Sequence, residues 1–201
     1  MLAHHDRRRK RGPLASWLSI GALGLVASCC TAEPADPSPA AAVSVVAPAG
    51  TEAEWRDLKL RIRKRFPAAE QLSIDDYNAW LGADRAQPVL IDVRAAEEFA
   101  VSRIPGARHV PLDGDLEELM RGVSRDQPVV AYCSVGWRSS DAAEQLQALG
   151  FERVYNLEGS IFEWANRGLP TRGEAGEEPK VHPFDANWGR LLQEARRAPI
   201  D

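Results

Sequence analysis

The sequence predicts an α/β fold with a central parallel sheet flanked by helices. Two short apolar runs, residues 89–93 and 128–132, have the length and composition of buried strands. The second run is followed, over residues 139–149, by apolar side chains at helical spacing, and Gly150 ends this helix. Short strands that alternate with helices indicate a parallel sheet, and ligands bind such sheets beyond the carboxyl ends of the strands. The segment after Tyr132 is therefore a candidate ligand site.

Weaker periodic signals place further elements on either side of these two strands. A helix is expected over residues 51–66, where Trp55, Leu58 and Ile62 share a face and Pro67 ends the run. Further elements are expected in this order: a helical turn at 97–101, a strand at 107–111, a helix at 116–121, a strand at 153–156 and a helix at 160–166. These elements extend the alternating pattern across the middle of the chain.

Length, charge and cysteine content set limits on the function. A chain of 201 residues suffices for one ordinary domain plus an extension. The formal net charge is −4, although five of the 25 Lys and Arg residues lie together at 7–11. The rest of the chain is therefore more acidic than the whole, which argues against nucleic-acid binding. Cys29, Cys30 and Cys133 form neither a disulfide framework nor a metal-binding spacing, and we expect no metal or other cofactor.

The first thirty residues have the pattern of an export signal. A basic run at 7–11 precedes an uncharged apolar segment at 13–26, which is shorter than the roughly 20 residues of a membrane-spanning helix. The sequence Val-Ala-Ser-Cys at 26–29 resembles the box before the lipid-modified cysteine of bacterial lipoproteins. We therefore expect a signal peptide at 1–28 and lipidation of Cys29. A plain cleaved signal and an uncleaved anchor are the alternatives.

The remaining chain divides into four parts. Residues 29–51 hold the lipidation site and an Ala- and Pro-rich stretch that is too poor in large side chains to build a core, which predicts a flexible linker. We expect an N-terminal helix within 52–69, the main domain at 70–172 and a C-terminal extension at 173–201. The many bases of the helix can rest on anionic headgroups or form a solvated face on a packed helix, and we favour the second.

The segment after the second buried strand carries the residue types of a nucleophilic site. Cys133 begins a loop that leads into a helix, where converging backbone N–H groups and the helix N-terminus favour a thiolate. Gly136 permits a tight loop, and Arg138 offers a permanent charge for an anionic substrate. Ser139 is placed to cap the helix. The same residues taken alone are equally compatible with an inert buried thiol.

Four ordered motifs within residues 70–172 resemble the rhodanese superfamily. In chain order they are Leu-Ile-Asp-Val-Arg at 90–94 with Glu-Glu-Phe at 97–99, Ile-Pro-Gly-Ala at 104–107, the loop Cys-Ser-Val-Gly-Trp-Arg at 133–138, and the closing segment at 150–164. The chain departs from the usual pattern at Ser102-Arg103, where Gly-His is common, and at Ser160, where a second glycine is common. The resemblance implies a rhodanese-like α/β fold.

The resemblance also implies a mechanism. In active members the loop cysteine attacks a sulfane-sulfur donor such as thiosulfate, carries the sulfur as a persulfide and passes it to an acceptor. Carried over, Cys133 is the nucleophile, Arg138 binds the donor anion or steadies the loop, and Asp92 and Arg94 organise loops near the site without taking part in the chemistry. The main-chain amides of the substrate-binding loop would cradle the charged sulfur; its residues are Ser134, Val135, Gly136, Trp137, Arg138 and Ser139.

The length of the loop argues against a related activity. Four residues separate Cys133 from Arg138, as in sulfurtransferase-like members, whereas the related dual-specificity phosphatases have one more residue to fit a phosphate. Phosphatase activity is therefore not expected. The alternative to a sulfurtransferase is a cell-envelope binding module that captures a sulfur species or a protein partner without turnover.

The expected partners follow from the mechanism and the export signal. They are a small sulfur-donor anion, a thiol or cyanide acceptor, the membrane through the lipid anchor and, in an oxidising compartment, a thioredoxin-like reductant. In the C-terminal extension, Trp188, Leu191 and Leu192 are expected to dock on the domain beside the N-terminal helix. We expect His182 to form a packed turn.

Overall fold

The computed structural model describes residues 49–174 and 176–200. The predicted signal peptide, Cys29 and almost all of the predicted linker lie outside the described residues. Within the described ranges, no helix combines the length and the apolar character that crossing a membrane requires.

Five parallel strands form the central sheet, in the order β1-β5-β4-β2-β3. The strands are β1 (Glu70–Leu72), β2 (Val89–Asp92), β3 (Arg108–His109), β4 (Val129–Tyr132) and β5 (Val154–Leu157). All four residues of β4 are buried, because this strand lies in the middle of the sheet and is covered on both faces. The predicted fold class, an α/β fold with a central parallel sheet flanked by helices, is confirmed.

Helices connect the strands and cover the sheet. They are α1 (Glu52–Arg65), α2 (Ile74–Leu81), α3 (Ala96–Val101), α4 (Leu116–Leu119), α5 (Trp137–Ala148), α6 (Ser160–Asn166) and α7 (Ala186–Gly189). A short antiparallel pair, β6 (Arg172–Gly173) with β7 (Gly176–Glu177), and a 3-10 turn at Glu194–Arg196 complete the described elements. Neither β1 nor α2 was predicted from the sequence.

The N-terminal helix α1 packs on the domain through an apolar stripe. Thr51 caps the helix by accepting a hydrogen bond from the Glu54 amide, and Leu58 and Ile62 are buried. On the polar side, Lys59 forms an ion pair with Glu163, with 2.7 Å between the charged atoms. The helix is therefore packed against the domain, as we favoured from the sequence.

The C-terminal extension docks beside α1. Leu191 and Leu192 are buried, and Arg190 forms an ion pair with Glu54 of the helix. The Asn166 side chain at the end of α6 donates a 2.7 Å hydrogen bond to the Leu191 carbonyl. The docking predicted from the sequence is confirmed, and it places the segment before Leu191 close to the carboxyl edge of the sheet.

A fully buried ion pair follows β2. The Arg94 guanidinium donates to both carboxylate oxygens of Asp92, at 2.9 and 2.7 Å, and to the Ser102 carbonyl at 2.6 Å. Neither Asp92 nor Arg94 is exposed to solvent. Since Ser102 is the residue at which α3 ends, the pair ties the end of β2 to the end of that helix.

Replacement of Arg94 by Leu is expected to lower the free energy of unfolding by about 3–5 kcal/mol, because it leaves the Asp92 carboxylate buried and unpaired. Urea denaturation followed by circular dichroism measures this change. The matched control is Arg121→Leu, which removes one member of an exposed ion pair with Glu118 and should leave the midpoint nearly unchanged. Equal effects of the two substitutions would contradict the structural importance of the buried pair.

Candidate active site

The residue that follows β4 is Cys133, at the carboxyl edge of the central sheet. Its loop turns sharply at Gly136, whose φ of 109° lies in the left-handed region. A Cβ atom at this position would lie 3.2 Å from Nδ2 of Asn156, so conformation and space both favour glycine. The helix α5 then begins at Trp137.

The helix start differs from the sequence prediction. We expected the helix to begin at Ser139 with this residue as its cap, but Gly136 occupies the cap position and Ser139 lies inside the first turn. The Ser139 hydroxyl instead donates a 2.6 Å hydrogen bond to Oδ1 of Asn156, whose Nδ2 donates to Gln71 at 2.7 Å. This prediction was wrong because the left-handed glycine places the helix cap at position 136 rather than at position 139.

Several donors and one cation surround the Cys133 sulfur. The Gly136 amide donates to Sγ over 3.2 Å. Burial raises the pKa of the thiol, but the positive charge of Arg138 and the hydrogen-bond donors of Ser139 and Gly136 outweigh it, so that the pKa lies below the ordinary cysteine value. The site therefore stabilises the thiolate, the nucleophilic form, more than the surroundings of an ordinary cysteine do.

Arg138 is held in place by Glu98. Its two terminal nitrogens donate to the two carboxylate oxygens of Glu98, at 2.7 and 2.8 Å, and one of them also donates to the Ser134 hydroxyl at 2.9 Å. Ser134 in turn donates to Glu98 at 2.9 Å. Of the two roles that the sequence left open for Arg138, these contacts support that of steadying the loop.

The backbone of the loop is held from the other side by α6. The Cys133 amide donates to the Ser160 hydroxyl at 3.1 Å, and the Ile161 and Phe162 amides donate to the carbonyls of Cys133 and Ser134. Ser160 itself has a left-handed φ of 50°. Ser160, which stands where a second glycine is common, therefore contacts Cys133 directly.

A cavity of about 170 Å³ opens onto the Cys133 loop. Its lining residues are Cys133, Ser134, Val135, Trp137, Arg138, Phe184 and Trp188. Hollows of about 530 and 690 Å³ lie along α1, but no residue of the loop lines them. The smaller cavity is the candidate site because it alone, among these three, reaches a reactive side chain.

Comparison with known proteins identifies the domain. A family model for the rhodanese-like domain matches residues 73–167. The chain is also similar to a protein named sulfurtransferase from Allochromatium vinosum, with 39% identity over 88 residues that span 44% of this chain and 81% of that protein. The chain belongs to the rhodanese-like family.

Two further similarities accompany this match. A tRNA uridine(34) hydroxylase from Erwinia tasmaniensis is 31% identical over 157 residues, which span 68% of this chain and 44% of that protein. The chain thus spans less than half the length of this relative. The solved rhodanese-like domain of a protein from Anabaena sp. has 26% identity and a TM-score of 0.47, and the match covers 51% of this chain and 78% of that domain.

The rhodanese-like domain brings most of the predicted site residues together. The cavity is lined by Cys133, Ser134, Val135, Trp137 and Arg138, whereas Gly136 donates to the Cys133 sulfur and Ser139 donates to Asn156. The predicted organising pair, Asp92 and Arg94, is fully buried and is not among the residues that line the cavity.

Four residues near the site were not predicted from the sequence to belong to it. Glu98 was visible only as part of a family motif, and nothing in the sequence pairs it with Arg138. Asn156 was assigned only to a strand. Phe184 and Trp188 lie in the C-terminal extension. The extension was expected to dock on the domain, but it was not expected to form a wall of the cavity.

Replacement of Arg138 by Gln is expected to raise the pKa of the Cys133 thiol, because it removes the cation that favours the thiolate. The rate of alkylation by iodoacetamide, followed at Cys133 by peptide mass spectrometry across a pH series, should then reach its half-maximum at higher pH than in the native chain. Arg121→Gln, at an exposed position, is the control. An unchanged pH profile would show that the Arg138 charge does not set the thiol pKa.

Proposed function

We propose that the chain is a rhodanese-type sulfurtransferase that moves sulfane sulfur from a donor such as thiosulfate to a thiophilic acceptor through a persulfide on Cys133. One observation carries this proposal: Cys133 is among the residues that line a cavity, and its sulfur accepts a hydrogen bond from the Gly136 amide beside a fixed cation. Such a site stabilises a thiolate and then the terminal sulfur of a persulfide. The family and the relative named sulfurtransferase support the same chemistry.

The proposed reaction has two displacement steps. The Cys133 thiolate attacks the outer sulfur of thiosulfate, the new S–S bond forms, and the old S–S bond breaks with its electron pair leaving on sulfite. The resulting persulfide anion lies near the loop amides and Arg138. An acceptor nucleophile such as cyanide or a thiolate then attacks the outer sulfur, and the electron pair of the persulfide bond returns to Cys133. No external oxidant or reductant is needed.

We propose small molecules or protein thiols as the reactants, rather than tRNA. The hydroxylase relatives have tRNA in their name, but this chain spans less than half of such a relative. The acidic balance of the chain outside residues 7–11 also disfavours a phosphate backbone. A thioredoxin-like protein is the proposed reductant if Cys133 is oxidised after export.

We further propose that the protein is exported and held at the cell envelope by a lipid on Cys29, with the domain facing the periplasm or the exterior. The support is the basic run, the apolar segment and the lipoprotein-type box at 26–29. The Ala- and Pro-rich residues that follow would act as a tether between the anchor and the domain.

Incubation with thiosulfate is expected to add one sulfur atom to Cys133, and Cys133→Ser should lower thiosulfate:cyanide sulfur transfer at least about a thousandfold because it removes the nucleophile. Intact-mass and peptide mass spectrometry of the detergent-solubilised chain locate the sulfur, and cyanide or a thiol should remove it. Full activity of the Cys133→Ser variant would refute the mechanism. The absence of added sulfur with thiosulfate and other sulfane donors would favour the non-turnover binding module instead.

Replacement of Cys29 by Ala is expected to abolish lipidation and to release the protein from the membrane fraction. Metabolic labelling with a fatty acid and membrane fractionation measure the two effects. Cys30→Ala is the matched control, because it removes the neighbouring thiol and should leave both unchanged. Persistent membrane association of the Cys29→Ala variant would indicate an uncleaved N-terminal anchor.

A further inference from the structure

Two of the seven residues that line the Cys133 cavity come from the C-terminal extension. These residues are Phe184 and Trp188, and the segment that carries them is fixed on both sides. Before them, Val181 is fully buried and donates a 2.7 Å backbone hydrogen bond to Arg196. After them, Leu191 is buried in the core. The segment that carries the two aromatic side chains is therefore anchored on both sides, so both side chains are fixed walls of the cavity.

The conformation of Phe184 is unusual for a residue of its size. Its φ of 67° lies in the left-handed region, which a Cβ atom disfavours, and its amide donates a 3.0 Å hydrogen bond to Nδ1 of His182. Core packing does not account for this backbone strain, because 46% of the Phe184 surface is exposed. The ring instead lies with its centroid 4.9 Å from the Arg138 guanidinium carbon, at the cavity. Strained backbone of this kind concentrates at ligand-binding sites, and here it holds an aromatic ring at the wall of the Cys133 cavity.

The charge of the cavity is largely compensated before any substrate enters. Among the described residues that line it, Arg138 is the one cation, and both of its terminal nitrogens are bound to the Glu98 carboxylate. The face of the guanidinium is next to the Phe184 ring. A dianion such as thiosulfate can therefore contact the loop amides in this cavity. The described residues that line the cavity offer it no unpaired cation. The remaining large walls, Trp137 and Trp188, are apolar over most of their surface.

The size of the cavity restricts its occupant. At about 170 Å³ it is smaller than the roughly 300–1,000 Å³ of sites for drug-sized ligands, so it suits a molecule with a single ring or a short alkyl group. Aromatic walls stabilise such a group through burial and ring contacts. A donor with one negative charge and one small apolar group thus matches both the charge and the walls of this cavity.

We propose that Phe184 and Trp188 are specificity-determining residues that select small, singly charged sulfane donors with an apolar group, such as organic thiosulfonates, over thiosulfate. This proposal rests on the proposed sulfurtransferase function. In the first step the Cys133 thiolate bonds to the outer sulfur of the thiosulfonate, and the S–S bond of the donor breaks with its electron pair leaving on the sulfinate. The persulfide anion that forms is the same as with thiosulfate, so the acceptor step is unchanged.

The test compares kcat/KM for benzenethiosulfonate and for thiosulfate, with cyanide as the acceptor and the full chain in detergent. The native chain is expected to prefer benzenethiosulfonate by about tenfold or more. Phe184→Gly, which also relieves the left-handed backbone, and Trp188→Leu should each lower the ratio of kcat/KM for benzenethiosulfonate to kcat/KM for thiosulfate about tenfold. Leu81→Ala, at an exposed apolar position outside the cavity, is the matched control and should change neither value.

The possible outcomes separate this proposal from the one on which it depends. Equal losses with the two donors, or a native preference for thiosulfate, would overturn the specificity role while leaving the sulfurtransferase function in place. The absence of a Cys133 persulfide with either donor would overturn the function itself. A native-like circular dichroism spectrum and urea midpoint show that Phe184→Gly is folded, and Phe184→Asn, which also tolerates a left-handed backbone, replaces it if the glycine variant is unstable.

Discussion

The loop that begins at Cys133 depends on one ion pair, in which the Glu98 carboxylate binds both terminal nitrogens of Arg138. Glu98 is almost fully buried and also accepts a hydrogen bond from Ser134, so one carboxylate fixes two residues of the loop. Burial raises the pKa of Glu98, but the Arg138 guanidinium, with help from Arg94, outweighs it and keeps the carboxylate charged. A permanent positive charge therefore stays beside Cys133.

This pair is itself positioned by a second pair deeper in the domain. Asp92 ends β2 and binds Arg94, and Arg94 binds the carbonyl of Ser102 at the end of α3. Because Glu98 lies on α3, the central sheet is connected to the loop through the inner ion pair, the backbone of α3 and the outer ion pair. The two ion pairs thus have different roles: the inner one orients a helix, and the outer one orients the residues around the nucleophile.

The sequence predicted the parts of this molecule that depend on local patterns. The buried strands β2 and β4 are short apolar runs, and the cysteine loop follows the second of them. Contacts between distant segments were not predictable in the same way. Glu98 and Arg138 meet because α3 and α5 lie at the same edge of the sheet. The periodicity of apolar residues in the sequence does not indicate this contact. The helix start at Trp137 was also missed, because it depends on the backbone conformation of Gly136 rather than on a capping side chain.

The nucleophile and the aromatic walls of its cavity belong to different parts of the chain. The loop of Cys133 is constrained by the sheet and by two ion pairs, so most substitutions there disturb the fold as well as the chemistry. Phe184 is half exposed and lies outside every strand, so its replacement perturbs few native contacts. In the proposed mechanism, selectivity can therefore change during evolution through the extension alone, while the Cys133 loop and the stability of the domain are preserved.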